Sequence, residues 1–403
     1  MTAHPMPQPG YNGLREPVAT LPSSAYFDPD HYRRELKSIW YRNWLYVGRA
    51  AEIARPFSYK TFEIGDQNVL ILRDEDGPLR AFHNTCRHRG STLCREASGR
   101  LTSKLIVCPY HNWSYDLKGQ LRRAPSMALP EGFDPKAYPL YEVALHDWRG
   151  FVFVNLAGKD AAPFATSFDR GAGRLDPWPL ESLVVGHTFL TTIKCNWKVF
   201  WENYSECYHC PRVHPELCRL VPLYQQAVLS YSDTPDWQPQ QPDDDGRPRV
   251  ATGLQTWTMD GRSTLPVLPG LNESDIASGV SFASFTASMF VVAHPDYVRS
   301  VRVLPLGPES IELVVDWLLL PDTANDCAGE FERLFAVGRL LLEQDGRVCE
   351  LNQQGLRSRR HEHGILVPQE YALWDFHQWL RAKLNRDRTE VPGRSINKGD
   401  ACL

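Results

Sequence analysis

Apolar and polar residues follow two rhythms along this chain. Residues 23 to 47, "SSAYFDPDHYRRELKSIWYRNWLYV", place Tyr32, Leu36, Ile39 and Trp40 at helical spacing after a start signal at Asp28 to Asp30, which predicts an amphipathic helix. From about 57 to 155 the period shortens. Runs such as "YKTFEI", "NVLILR", "KLIVCPY", "WSYDL" and "GFVFVNL", parted by Gly, Asp and Asn, predict a small all-β domain. Further on, "TFLTTIKCNWKVFWENYSECYHC" begins as a strand and becomes helical, while "FASFTASMFVVAHP", "YVRSVRVLPLG" and "SIELVVDWLLL" read as consecutive antiparallel strands. "AGEFERLFAVGRLLLEQDGRVCELNQQGLRS" reads as one long helix, and "TPDWQPQQPDDDGRPR" as an exposed, mobile loop. The predicted class is α+β: a helical segment at 1–45 packed on the last domain, an all-β domain at 46–156 and a larger domain with an antiparallel sheet at 157–403.

Composition narrows the partners. The 403 residues are 42% hydrophobic, enough for sizeable cores, and a formal charge of -4 with interspersed signs offers no basic stripe for nucleic acid. No apolar leader and no run of roughly 18 apolar residues is visible, so a soluble, cytoplasmic protein is expected. Ten unevenly spaced cysteines point to free thiols or metal ligands rather than disulfides.

Two constellations carry chemistry. "CRHRG" and "CPYHNW" place Cys86, His88, Cys108 and His111 as C-x-H and C-x-x-H on two short loops of the β domain. A closed Cys2His2 zinc site is the plain alternative, but zinc pairs favour C-x-x-C with a helical H-x-x-x-H. The mixed spacing matches a Rieske [2Fe-2S] cluster, with two cysteines on one iron and two histidines on the other. Cys94 and His83 lie nearby and read as a packed thiol and a hydrogen-bonded loop histidine.

The second is "ECYHCPRVHP", in which Glu206, Cys207, His209, Cys210 and His214 fall within nine positions. On an unbroken helix His209 and His214 would point roughly 140° apart, so Pro211 is expected to bend the chain between them. Glu206 would lie one turn below His209. On the long helix Leu334, Gly338, Leu341, Asp345 and Val348 share a stripe, which makes Asp345 a buried carboxylate in need of a partner. With His209 and His214 it forms the 2-His-1-carboxylate set of non-haem Fe(II) oxygenases, leaving Cys207 and Cys210 as bystanders. Cys195 and Cys218 read as packed thiols, and His361 and His363 in "RSRRHEHG" as part of a solvated face.

Together with "GFVFVNL", "NWKVFWENYSECYHCPRVHPEL" and "EQDGRVCELNQQGL", these motifs resemble the oxygenase (alpha) component of the Rieske non-haem iron oxygenases over most of the chain. The resemblance implies a helix-grip catalytic domain and a head-to-tail homotrimer in which the cluster of one subunit reduces the iron of its neighbour. It also implies a separate flavin and [2Fe-2S] reductase using NADH or NADPH. The ring-hydroxylating branch carries an aspartate where Glu206 stands here, and one more residue before the first iron histidine. Both departures resemble the quaternary-ammonium subgroup: choline monooxygenase and the glycine betaine, carnitine and stachydrine demethylases.

The implied activity is O2-dependent hydroxylation or N-demethylation of a small betaine-like compound, with Glu206 coupling the two metal centres. Aromatic side chains would hold the ammonium through cation-π contacts. Of Tyr204, Tyr208, Trp257, Phe282, Phe285 and Trp317, the preferred pair is Tyr204 and Trp257. Two rivals stand beside this reading. One is an O-demethylase or ring hydroxylase of an aromatic acid, which Arg299 or Arg302 would serve if turned inward. The other is a Rieske electron-transfer protein without oxygenase activity.

Overall fold

The computed structural model describes residues 14–389 apart from 15, 76, 127–128, 130, 168–171, 234–237, 239–245 and 327–330. Most of the Pro- and Asp-rich loop therefore lies outside the described residues.

The N-terminal segment is not the single helix its spacing predicts. After the short strand β1 (Val18–Ala19) and a 3-10 turn at Ser23–Tyr26, α1 (Pro29–Glu35) starts where Asp28 accepts from the Asp30 and His31 amides. It widens into a π turn at Leu36–Trp40 and stops. The remaining "WLYV" is strand β2 (Leu45–Arg49), because a short apolar run fits either structure and here finds a pairing partner in the β domain.

That domain contains β3 (Ser58–Ile64), β4 (Gln67–Arg73), β5 (Leu79–His83) and β6 (Ser98–Arg100) in the order β5-β4-β3-β6. A second sheet holds β7 (Leu105–Val107), β8 (Ser114–Asp116) and β9 (Leu121–Arg123), and a third joins β10 (Ala144–Trp148), β11 (Phe151–Asn155) and β2. Strand alternation divides two cores across β4. Val69 and Ile71 join the large core shared with the rest of the protein, whereas Leu70 and Leu72 pack with Phe82, Ile106, Tyr115, Cys86 and Cys108.

The larger domain opens with β12 (Val184–Ile193) and α2 (Trp197–Tyr204), whose first turn is capped by Asn196. Short helices α3 (Cys210–Val213), α4 (Pro215–Leu220) and α5 (Glu273–Ser278) follow. "FASFTASMFVVAHP" is two strands rather than one, β13 (Ser281–Phe285) and β14 (Met289–Ala293), turning at 286–288 so that Phe285 pairs with Met289. With β15 (Val298–Gly307) and β16 (Ser310–Leu319) they complete an antiparallel sheet of order β12-β16-β15-β14-β13. After α6 (Pro321–Asp326), the long α7 (Phe331–Leu356) packs on this sheet. Strand β17 (Ile365–Leu366) pairs with β1, and α8 (Tyr371–Thr389) ends the described chain.

Two glycines let α7 approach the sheet. A Cβ on Gly346 would already touch Ile193 at 3.4 Å, and one on Gly338 would lie 2.6 Å from the Arg299 Nη1 and 3.0 Å from the Trp317 ring. The buried face runs through Leu334, Gly338, Leu341, Leu342, Gly346 and Cys349. Val348 and Asp345 sit at its margin, so Asp345 is half-buried and opens into a cavity rather than into the core. At the other end of α2, the fully buried Lys198 ammonium lies 2.6 Å from the equally buried Glu35 carboxylate, pinning α1 to the catalytic domain. Among the described residues no helix is long and apolar enough to cross a membrane.

Candidate metal centres

The β domain presents Cys86, His88, Cys108 and His111 from two loops of matching design. The Cys86 amide donates to Ser91 O and the Gly90 amide to Cys86 O, while the Cys108 amide donates to Trp113 O and the Asn112 amide to Cys108 O. Each turn sinks its cysteine and leaves its histidine outside: both cysteines are buried, His88 is exposed and His111 is half-exposed. The imidazole centroids are 4.7 Å apart, with Trp113 stacked on His88. The Tyr115 hydroxyl lies 3.3 Å from the Cys86 sulfur, and burial raises the Cys86 thiol above its ordinary value. A thiolate there needs cationic partners.

Four ligands of one zinc ion would crowd together, yet among the described residues no three of these side chains have ligand atoms all within 4.8 Å. Two cysteines at one end and two histidines at the other suit a two-iron cluster. Cys94 is a buried thiol pushed up to about 11 by burial, and His83 ends strand β5 rather than sitting on a loop.

The second constellation does converge. His209, His214 and Asp345 bring ligand atoms within 4.8 Å of one another. Asp345 Oδ1 lies 2.8 Å from His214 Nε2 and 3.4 Å from His209 Nε2, close to the roughly 3 Å separation expected for ligands on one face of an ion with metal bonds of about 2.1 Å.

The bend that permits this is not made by Pro211. That proline sits in the first turn of α3, where its missing amide hydrogen is harmless, and His209 precedes the helix as its N-cap. The chain breaks at His214, with φ -123° and ψ 62°, because Pro215 follows and disfavours helical geometry in the residue before it.

Glu206 also reaches His209 by a different route from the expected helical turn. Helix α2 has ended by Ser205, and Glu206 lies in a loop where its carboxylate accepts from the Tyr208 and His209 amides. It accepts as well from His209 Nδ1 at 2.6 Å. The expectation of free thiols fails in the same loop: Cys207 and Cys210 are joined in a disulfide, since the turn brings their Cα atoms to 5.0 Å. They are neither ligands nor loose bystanders.

Both histidines have their Nδ1 committed, so each turns Nε2 towards Asp345. His214 Nδ1 donates to Gln344 Oε1 at 2.8 Å, and the Gln344 amide donates onward to Glu216 at 3.1 Å. Such outer partners fix the tautomer and ring orientation of a ligating imidazole. Burial opposes a charge on His209, but Asp345 and Glu206 outweigh it and raise the imidazolium to about 9. Asp345 is held below its ordinary value because the two histidines overcome its own burial. This excess of negative charge around two imidazoles is what a divalent cation would satisfy. Gln344, and Asn203 with its amide 3.4 Å from His209 Nε2, escape sequence reasoning; the adjacency of Gln344 to Asp345 is the only local signal.

A cavity of about 90 Å³ opens onto the three ligands, walled by Tyr204, Trp257, Phe282, Phe290, Leu341 and Arg299. Tyr204 stacks on Phe290 at 3.7 Å, and Trp257 meets Phe282 edge-on at 5.9 Å. Tyr208 is exposed instead, and Phe285 and Trp317 are core. Tyr204, Tyr224, Leu229 and Phe282 also border a wider cleft of about 590 Å³, which gives the cavity a way out.

Residues 180–386 match the family model of the ring hydroxylating alpha subunit (catalytic domain), and residues 43–134 match the Rieske [2Fe-2S] domain. The glycine betaine monooxygenase oxygenase subunit of Chromohalobacter salexigens is 31% identical over 94% of this chain and 89% of its own. The chain belongs to the Rieske non-haem iron oxygenases. As an alpha subunit of that family it is an enzyme that uses a Rieske cluster and a mononuclear iron, which removes the pure electron-carrier rival. The chloroplastic choline monooxygenase of Spinacia oleracea is 30% identical over 92% of this oxygenase and 79% of its own length. A crystal structure of the quaternary ammonium Rieske monooxygenase CntA shares the fold, with a TM-score of 0.69 at 22% identity over 91% of this chain and 96% of that one. Naphthalene 1,2-dioxygenase from Rhodococcus sp. shares it too, with a TM-score of 0.67 at 18% identity over 91% and 94%.

Proposed function

We propose that this oxygenase hydroxylates a methyl or C-H group beside the nitrogen of a small quaternary ammonium compound. Cys86, His88, Cys108 and His111 hold the cluster, and His209, His214 and Asp345 hold the iron. Held there, the two centres would together supply two electrons to O2. In the net reaction one oxygen atom converts C-H to C-OH and the other leaves as water, taking up two electrons and two protons in all. An N-hydroxymethyl product then loses formaldehyde and a proton to leave a tertiary amine.

The observation that carries this reading is the aromatic wall beside the ligand atoms. Tyr204, Trp257, Phe282 and Phe290 line the cavity, and aromatic rings attract a cation that cannot donate hydrogen bonds. A cavity of about 90 Å³, far below the roughly 300–1,000 Å³ typical of drug-sized ligands, suits a substrate of few atoms. The names of the glycine betaine and choline monooxygenase relatives agree with this.

Glu206 couples the centres in a head-to-tail homotrimer. Exposed His88 and exposed Tyr208, two residues from Glu206, support such docking by placing both redox sites near the surface. A separate NAD(P)H-dependent flavin and [2Fe-2S] reductase recharges the cluster, and the cytoplasm is the working compartment. The domain borders lie at 45/46 and 156/157. The test is O2 uptake and formaldehyde release with betaines, choline, carnitine and methoxyaromatic acids, using a surrogate reductase. Coupled turnover of an ammonium compound is expected; uptake uncoupled from product with every one of them refutes the reading.

A further inference from the structure

One charge lining the cavity has no hydrogen-bond or ion-pair partner among the described residues. Arg299, on β15, is only 5% exposed, and its Nε is buried without a partner. Among the described residues its guanidinium makes no hydrogen bond and no ion pair. Other inward arginines differ. Arg49 donates to the carbonyls of Arg149, Leu180 and Leu183, and Arg302 donates to Val47 O and pairs with Glu312 at 3.5 Å. Arg299 alone of these lines the cavity that holds His209, His214 and Asp345. The anion it feels is Asp345, which forms no ion pair with it and is already engaged by the two histidines, and burial pushes His294 down to about 3, leaving it neutral.

Helix α7 is shaped around this guanidinium. Gly338 stands within a 26-residue helix, where glycine costs roughly 1 kcal/mol relative to alanine. Any side chain there would strike Arg299 Nη1. Asp345 lies two turns further along the same helix, roughly 10 Å away. The cavity thus has a cationic end at Arg299 and a ligand end at Asp345, with Trp257, Phe282 and Tyr204 along its wall.

An arginine stays charged even when buried, so a ligand carrying only positive charge would meet repulsion here. A guanidinium fork is suited to a carboxylate, which it can grip with two parallel hydrogen bonds. We infer that Arg299 anchors the carboxylate of the substrate, so that the cavity accepts a short ammonium carboxylate and discriminates against an ammonium alcohol. The inference rests on the quaternary-ammonium reading and narrows it. The quaternary nitrogen lies against the aromatic wall, and a methyl group turns towards His209, His214 and Asp345.

The test compares glycine betaine with choline and with the neutral carboxamide of betaine, measuring binding by calorimetry and KM and kcat by O2 uptake with the holoenzyme. The parent is expected to favour glycine betaine at least tenfold over both. Arg299→Met should weaken glycine betaine by about 30-fold or more, the loss typical of removing one partner from a buried charge pair, and leave choline unchanged or improved. Arg299→Lys should recover part of the preference. Equal losses for betaine and choline in Arg299→Met, or no loss, would overturn the inference. If that variant fails to fold, a parent that prefers choline or the carboxamide overturns it unaided, with the quaternary-ammonium reading intact. Turnover of methoxybenzoate with no ammonium compound accepted would overturn both.

Discussion

If Glu206 couples the two centres as proposed, replacing it is expected to separate electron transfer from metal binding. Its carboxylate accepts from His209 Nδ1 at 2.6 Å and from two backbone amides that shape the loop. A hydrogen bond to a charged group contributes about 1.5–3 kcal/mol, against roughly half that between neutral groups. Glu206→Gln keeps the shape but loses the charge and one of the two accepting oxygens, so either His209 Nδ1 or the pair of backbone amides loses its acceptor. Its expected effect is about tenfold on the coupling step. Glu206→Ala also strands the Tyr208 and His209 amides, so about 100-fold is expected, the upper range for removing a partner of a ligating histidine. The assay is a single turnover in which the pre-reduced cluster is mixed with substrate and O2 and its reoxidation is followed optically, beside iron and sulfide analysis. Full metal content with slowed reoxidation, in the order Gln before Ala, is expected. Parent-like reoxidation in Glu206→Gln would refute the coupling role, and loss of the mononuclear iron would show that the residue serves metal binding instead.

Other consequences are measurable. Asp345→Asn should lower iron from about three to about two per chain while the Rieske absorption persists. Lys198→Met leaves the Glu35 carboxylate buried without its main counter-charge and should destabilise the protein by about 3–5 kcal/mol in urea, most of it recovered in Glu35→Gln/Lys198→Met. Tyr115→Phe removes the hydroxyl 3.3 Å from the Cys86 sulfur; with less stabilisation of the reduced cluster its midpoint potential should fall by on the order of 40 mV, the one-electron equivalent of about 1 kcal/mol.

What the sequence discloses here is chemistry with a local signature. Two loops of C-x-H and C-x-x-H, a pair of histidines and an aspartate at the edge of an apolar helical stripe are visible as spacings. The structure brings the last three together. What escapes depends on which of two local geometries wins. The run "WLYV" could continue a helix or pair as a strand, and only the distant β11 decides. Glu206 and His209 are three apart in a loop as in a helix, so their contact is foreseeable and its cause is not. Pro211 and Pro215 both disfavour helix in the preceding residue, and the backbone breaks at the second. Arg299 is the half-legible case. The sequence offers Arg299 and Arg302 alike as arginines that would serve an acid if turned inward, and only the structure shows that Arg299 lines the cavity without a hydrogen-bond or ion-pair partner among the described residues.

The spans that close the two metal centres differ in length, and that difference sets an order of assembly. All the cluster ligands lie between residues 86 and 111, within a domain whose last strand ends at Asn155. The iron ligands run from residue 209 to residue 345, and the last of them waits for α7. A chain emerging from the ribosome therefore exposes a complete cluster pocket well before it can offer iron a third ligand. A product ending between Asn155 and α7 would contain all four cluster ligands, both iron histidines only if it extended past residue 214, and in no case the aspartate that completes the iron set.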